Sequence, residues 1–491
     1  MTAANTRLDE AEIHRLALGC ILASWTGPVP PARIEHLLAD GLGGVVLFEN
    51  NITGDDAATR ALTDRLRTAA GRPIVIAADE EGGDVVRLPW TEGSGPGQAA
   101  LGHLDDIETT EQVYASLGER LARCGLTADL GPVADVNTNP DNPVVGLRSF
   151  GSDSALVARH VEAAVRGLQR AGVAAVVKHF PGHGNTGMDS HHDLPVIDSD
   201  LDHLDRHELP PFRAGIEAGT RAVMTGHLFV PSVDPDRFAT ISPALARTLL
   251  RERLGFTGTV VSDAMEMGPL AGGLGIVEGT VQALIAGTDA IELGFDEHVE
   301  VLAALPGAVY AAVADGRLDL ERLRDAAART AALAVVVPDG TGAGDHPLAA
   351  SAATRSLELH GDVATEGKLL VVECHSPNSI PTGDLDWSLA EPLRARGAEV
   401  TLLRVTDDAT AAAAVDELRT SGLFAVVVTR DPQWYPWQRE VLRAAAARTR
   451  VVTVDTGWPS PAHPPASIRT RGIGRGLLAA AADLLAGSPA A

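Results

Sequence analysis

Short apolar runs alternate with longer amphipathic stretches along the first 335 residues. The runs are GCILAS (19–24), GGVVLF (43–48), PIVIAAD (73–79), TADLGPV (127–133), VAAVVKHF (173–180), RAVMTGH (221–227), GTVVSD (258–263) and DAIELG (289–294). Between them, segments such as DDAATRALTDRLRTAAG (55–71) and SALVARHVEAAVRGLQRAG (154–172) repeat apolar positions near every 3.6 residues, as a helix with one buried face requires. Eight strand–helix units in about 320 residues predict an α/β fold, a (β/α)8 TIM-like barrel, with a doubly wound open sheet as the alternative. No glycine-rich nucleotide-binding motif follows the early strands, which weakens that alternative.

PDGTGAGDHP (338–347) has the composition of a linker. Beyond it KLLVVE (368–373), AEVTLLRV (398–405), FAVVVT (424–429) and RVVTVD (450–455) predict strands, with helix-like segments at 409–422 and 438–449. The expected organisation is a barrel over 1–337, a linker over 338–350 and a smaller α/β domain with a mainly parallel sheet over 351–491. The aromatic cluster Trp434, Tyr435 and Trp437 is expected to pack against the barrel, with a sugar-stacking or partner surface as the other reading.

Composition narrows the partners. Apolar residues make up 45% of the chain and aromatics only 4%, which suits helices packed on a buried parallel sheet. A net charge of −25 repels phosphate backbones and anionic lipid, so neither nucleic acid nor membrane is an expected partner. Cys20, Cys124 and Cys374 are far apart and odd in number, which argues against a disulfide framework or a cysteine zinc site. The first residues show no basic stretch leading into an apolar one, and no run of eighteen apolar residues occurs, so a cytoplasmic location is expected.

The barrel expectation places chemistry just beyond the C-terminal ends of the strands. Charged or histidine side chains stand there at five consecutive exits: Asp79, Asp135, the pair Lys178 and His179, His227, and Asp263. The loop KHFPGHGNTGMDSHHDLP (178–195) is the densest in titratable groups. Asp189 and His191 are two apart, a spacing that lets a carboxylate fix an imidazole's tautomer and favour its protonated form. Such a histidine gives and takes a proton near pH 7. The glycines at 182, 184 and 187 suggest a loop free to swing over a site. A metal site built from His179, His183, His191 and His192 is the second reading, weakened by the absence of a helical pair at i, i+4 and of a nearby cysteine. A surface loop with incidental histidines is the third. Asp263 in VVSDAMEM suits a nucleophile, a general base or a cation partner, against a plain helix N-cap. Asp79 suits paired sugar hydroxyls, and Arg148, Lys178 and His179 can donate to the same ligand. His227 reads equally well as a packed core histidine.

IAADEEGG (76–83), DVNTNPDNPVVGLRSFG (135–151), KHFPGHGNTGMDSH (178–191), MTGHL (224–228) and GFTGTVVSDAMEM (255–267) resemble, in order, the motifs of glycoside hydrolase family 3, in particular its β-N-acetylglucosaminidase (β-N-acetylhexosaminidase) branch. The resemblance spans residues 10 to 335; the second domain resembles the C-terminal domain of two-domain members more weakly. It implies a retaining enzyme that needs no cofactor and no metal and acts on a small carbohydrate carrying terminal β-linked N-acetylglucosamine. Asp263 would be the nucleophile and His191 the acid/base, held by Asp189. Asp79, Arg148, Lys178 and His179 would bind the sugar, with Asp135 and His227 ranked after them. A muropeptide or an amino-sugar oligosaccharide is the implied substrate. A neutral imidazole repels an incoming anion less than a carboxylate does, so inorganic phosphate stands beside water as an acceptor. A sugar-binding protein without turnover is the reading of another class; it sits poorly with the presence of Asp263, Asp189 and His191 together. One departure is Asp84, where the family often has arginine or another non-acidic residue after Glu-Gly-Gly; it raises a question about the leaving-group side.

Overall fold

The computed structural model describes residues 9–89, 91, 94–188, 194–267, 273–294, 298–334, 347–383, 385–459 and 467–487. The eight apolar runs form β1 (Ile21–Ala23), β2 (Gly44–Val46), β3 (Val75–Ala78), β4 (Ala128–Asp129), β5 (Ala174–Phe180), β6 (Ala222–Thr225), β7 (Thr259–Ser262) and β8 (Ile291–Glu292). All eight pair in parallel in the order β7-β6-β5-β4-β3-β2-β1-β8. Ser262 N donates to Ala290 O at 2.9 Å and Ala290 N to Val260 O at 3.0 Å, so β7 meets β8 and the sheet closes into a barrel. Every strand residue is buried, because side chains fill the barrel on one face and helices cover the other.

Aspartates start the covering helices. Asp55, Asp106, Asp153 and Asp319 each accept a backbone N–H from the first turn of Asp56–Ala70, Ile107–Arg123, Ser154–Arg170 and Leu320–Ala332. A carboxylate there satisfies an orphan donor and faces the positive end of the helix dipole. β4 and β8 are the shortest, two residues each; Gly131 and Pro132 follow β4, and Pro132 has no N–H to pair.

The second domain is a six-stranded sheet ordered β11-β10-β12-β13-β14-β9. β10 (Leu369–Cys374), β11 (Val400–Val405), β12 (Phe424–Thr429) and β13 (Val451–Asp455) match the four expected strands. β9 (Glu358–Leu359) and β14 (Ile468–Arg469) are additional, and their antiparallel pairing makes the sheet mixed. Of the expected linker, 338–346 lies outside the described residues and 347–350 belongs to helix Pro347–Arg355. Trp437 does not pack against the barrel: it is buried in the second domain's own core with Tyr435 against it, because Pro436–Ala446 lays that face on the sheet. Trp434 remains exposed.

The two domains are joined by polar and close-packed contacts. Asp84 Oδ2 pairs with Arg430 Nη2 at 2.8 Å, and its Oδ1 accepts from Ile473 N at 2.8 Å. Arg87 Nη2 donates to Pro381 O at 2.8 Å. A Cβ on Gly474 of the second domain would come within 3.3 Å of Gly83 Cα. Among the described residues, no helix is long and apolar enough to cross a membrane.

Candidate active site

A cavity of about 220 Å³ opens at the C-terminal end of the barrel. Asp79, Arg148, Lys178, His179 and Asp263, five of the expected site residues, line it. Each arrives from a strand exit or the loop beyond it: Asp79 after β3, Arg148 from the turn Gly146–Arg148, Lys178 and His179 from the end of β5, and Asp263 after β7.

Four charges form one wall. Lys178 Nζ lies 2.6 Å from Asp79 Oδ1 and 2.7 Å from Glu81 Oε1. Glu81 also takes Arg148 through Nε at 2.9 Å and Nη2 at 2.7 Å, the forked geometry of a guanidinium on a carboxylate. Burial alone would raise the Glu81 carboxyl; Arg148 and Lys178 outweigh it and hold it well below the usual carboxylate range. Burial likewise opposes the charge on Lys178, and Asp79 and Glu81 more than restore it. Glu81, Arg148 and Lys178 therefore hold one another in the charged form, and Asp79 is the acid of this wall that reaches the cavity.

Asp135 and His227, expected among the sugar-binding groups, do not line the cavity; both are fully buried. Asp135 sits behind His179, its Oδ2 2.7 Å from Nδ1, and its Oδ1 accepts from His183 N at 2.7 Å. Burial pushes the Asp135 carboxyl up, but His179 outweighs that and lowers it, so an ionised acceptor holds the Nδ1 proton. Nε2 of His179 lies 3.4 Å from Arg148 Nη2. His227 bonds Thr240 Oγ1 at 2.7 Å and the Ala264 carbonyl at 2.9 Å, which fixes the backbone directly after Asp263. Both are held inside by hydrogen bonds to the scaffold.

Asp263 is no helix cap: no helix begins over 264–267, where the chain turns at 265–266, and Oδ1 accepts from Ala264 N at 2.9 Å. Its own N–H donates to Thr225 O at 3.0 Å, tying it to β6. Two further acids share the cavity. Burial, then Asp79, Asp263 and Glu266, push the Glu292 carboxyl well above its ordinary value, and burial raises Glu266 as well. Glu292 closes β8 and was visible in DAIELG as a sixth charged strand exit; Glu81 and Glu266 stand inside the motifs that carry Asp79 and Asp263.

Asp189, His191 and His192 lie outside the described residues. The segment leading to them is anchored rather than free. A Cβ on Gly184 would come within 1.9 Å of Val136 O, and Asn142 Nδ2 donates to His183 O at 2.9 Å. The small residue at 184 serves close packing, which corrects the expectation of a swinging loop up to residue 188. Of the histidines weighed as metal ligands, His179 and His183 spend Nδ1 on Asp135 and on Thr186 Oγ1 at 2.7 Å.

Residues 29–333 match the model of the glycosyl hydrolase family 3 N-terminal domain. A β-hexosaminidase of Xylella fastidiosa (strain M12) is 36% identical over 56% of this chain and 83% of its own. β-Hexosaminidase A of Pseudoalteromonas piscicida is 31% identical over 64% of this chain, which spans about 56% of that longer relative. The solved structure of a family 3 β-N-acetylglucosaminidase from Paenibacillus sp. str. FPU-7 superposes over 96% of both chains with a TM-score of 0.87 at 31% identity, so the similarity includes the second domain. With residues 29–333 matched, well over half of its length, this chain belongs to glycoside hydrolase family 3.

Proposed function

We propose that this chain hydrolyses terminal β-linked N-acetylglucosamine from glycosides, including muropeptide-like oligosaccharides, with retention of configuration. The observation that carries the reading is that Asp263 shares one cavity with Asp79, Lys178 and Arg148 of the salt-bridged wall, in a chain of this family. Asp79 would accept sugar hydroxyls while Lys178 and His179 fix the ring, and Asp263 would attack the anomeric carbon to form a glycosyl ester. His191, held by Asp189, would protonate the leaving oxygen and then deprotonate water; this part rests on the sequence motif. Burial raises the carboxyls of Glu266 and Glu292, which weakens the repulsion they exert at Asp263.

Water is favoured over phosphate as the acceptor. Each cation lining the cavity already faces a carboxylate: Lys178 and Arg148 as described, and Arg87 with Glu49 at 3.6 Å and Asp79 at 3.8 Å. An incoming dianion would have to compete with these acids. A cytoplasmic setting is part of the reading, supported by three buried cysteines in no disulfide. The test is p-nitrophenyl β-N-acetylglucosaminide turned over with and without phosphate. Free N-acetylglucosamine at a rate phosphate leaves unchanged is expected; N-acetylglucosamine 1-phosphate would overturn the acceptor, and no release would overturn the donor sugar.

A further inference from the structure

Glu292, at the end of β8, has no part in the reaction described above. It lines the catalytic cavity and is 4% exposed. Side chains alternate along a strand, and Ala290, two residues earlier, packs in the core inside the barrel with Leu22 and Val261. Glu292 therefore also points inward, at the top of the barrel, and not toward the helices. Its Oε2 is buried with no hydrogen-bond partner among the described residues. A buried polar atom in that state is destabilising, and a ligand that supplies a partner regains the loss. Burial and the neighbouring acids favour the protonated carboxyl, which donates as well as accepts.

The barrel fixes which part of a sugar ring this carboxyl meets. Asp263 and Asp79 leave β7 and β3, four strands apart in a closed ring of eight and so on opposite sides of the cavity. With C1 over Asp263, C4 lies toward Asp79. Asp263 rises from the barrel and attacks the face opposite the β-linked leaving group, so that face of the ring is turned to the barrel. Right-handed crossovers make the strands run counterclockwise from β1 to β8 when viewed from their C-terminal ends. A D-pyranose viewed from its β face numbers clockwise. C2 and C3 therefore lie on the side of β6, β5 and β4, where Lys178, His179 and Arg148 line the cavity. The ring oxygen, C5 and its hydroxymethyl group lie on the side of β8, β1 and β2, where Glu292, Phe48 and Glu49 line it. Of the two acids there, Glu49 is 47% exposed and faces Arg87 at 3.6 Å, whereas Glu292 is buried and keeps an unpartnered oxygen.

We propose that Glu292 is a specificity-determining residue: its carboxyl hydrogen-bonds the C6 hydroxyl of the sugar being cleaved, so the cavity selects donors with an unmodified hydroxymethyl group. The inference rests on the glycosidase reading above, with Asp263 as the nucleophile.

The test crosses the residue with the hydroxyl on the full chain. p-Nitrophenyl N-acetyl-β-glucosaminide and its 6-deoxy analogue share a leaving group and differ only at C6. The parent is expected to prefer the hydroxylated donor about tenfold in kcat/KM, the size of one hydrogen bond to a buried group. Glu292→Leu is expected to remove most of that preference, and Glu292→Gln, which also donates and accepts, to retain part of it. If Glu292 only supports the fold, both donors lose rate together and the preference stays as in the parent; that result overturns the proposal. So does a preference that Glu292→Leu changes for the 3-hydroxyl, read with the 3-deoxy analogue, and not for the 6-hydroxyl. A parent that turns over the hydroxylated and 6-deoxy donors equally overturns it whatever the variants do. If the parent turns over neither donor, the glycosidase reading fails and this inference with it.

Discussion

Glu81 is the residue on which the cavity wall depends. It is 3% exposed and holds both Arg148 and Lys178, so its loss would leave two buried cations short of a partner. Breaking a buried pair from one side costs about 3–5 kcal/mol. Glu81→Ala is therefore expected to lower thermal stability by several degrees and to raise KM more than it lowers kcat; a protein with unchanged melting and kinetics would show that the lattice is not cooperative. At this scale the sequence revealed the exits of strands but not how each side chain is spent. Asp79, Lys178 and Asp263 were legible because they end apolar runs. Asp135 and His227 looked alike on paper and turned out to face the scaffold, because their hydrogen-bond partners, His183 N and Thr240, come from other loops. Glu81 was hidden by its neighbours: in DEEGG, Glu80 turns inward to accept from Arg87 N and Leu88 N at 2.6 and 2.9 Å, and only the fold separates the three acids.

At the scale of elements, the strands and long helices followed from apolar runs and periodicity, and β9 and β14 did not, since neither lies in an apolar run. The helix Leu209–Glu217 conceals a titration. Glu208, at its start, is buried beneath Gly182 with neither carboxylate oxygen hydrogen-bonded among the described residues. Burial, aided by Asp135, pushes its carboxyl up from 4.5 to about 8. The folded chain thus holds a proton that the unfolded chain releases near 4.5. That contribution to stability is complete below about pH 4.5 and is lost as pH rises through about 8. Glu208→Gln, which keeps the shape of the protonated acid, is expected to match the parent's melting temperature near pH 5 and exceed it by a few degrees at pH 8.5. An equal difference at both pH values would contradict the buried titration.

For the whole molecule, Asp84 links the question of the second domain to the departure seen in the sequence. The extra acid after Glu-Gly-Gly does not line the catalytic cavity; it reaches Arg430 and Ile473 across the domain boundary. A carboxylate partnered by residues nearly 350 or more positions away has no local sequence signal, which is why its role was not readable. Asp84→Ala is expected to cost about 3 kcal/mol of buried-pair energy and to split calorimetric unfolding into two transitions. A single transition at the parent's temperature would show that the domains hold together without it.

Asp263 stands at the exit of β7 in this cavity, its N–H tied to Thr225 O of β6. The most direct measurement is mass spectrometry after incubation with a 5-fluorinated N-acetylglucosaminyl fluoride, a donor whose electron-poor ring forms the glycosyl ester faster than water removes it. One sugar bound per chain, on the peptide containing Asp263 and absent from Asp263→Ala, is the predicted result. A label on Glu266 or Glu292, or steady turnover by Asp263→Ala, would contradict the assignment of the nucleophile.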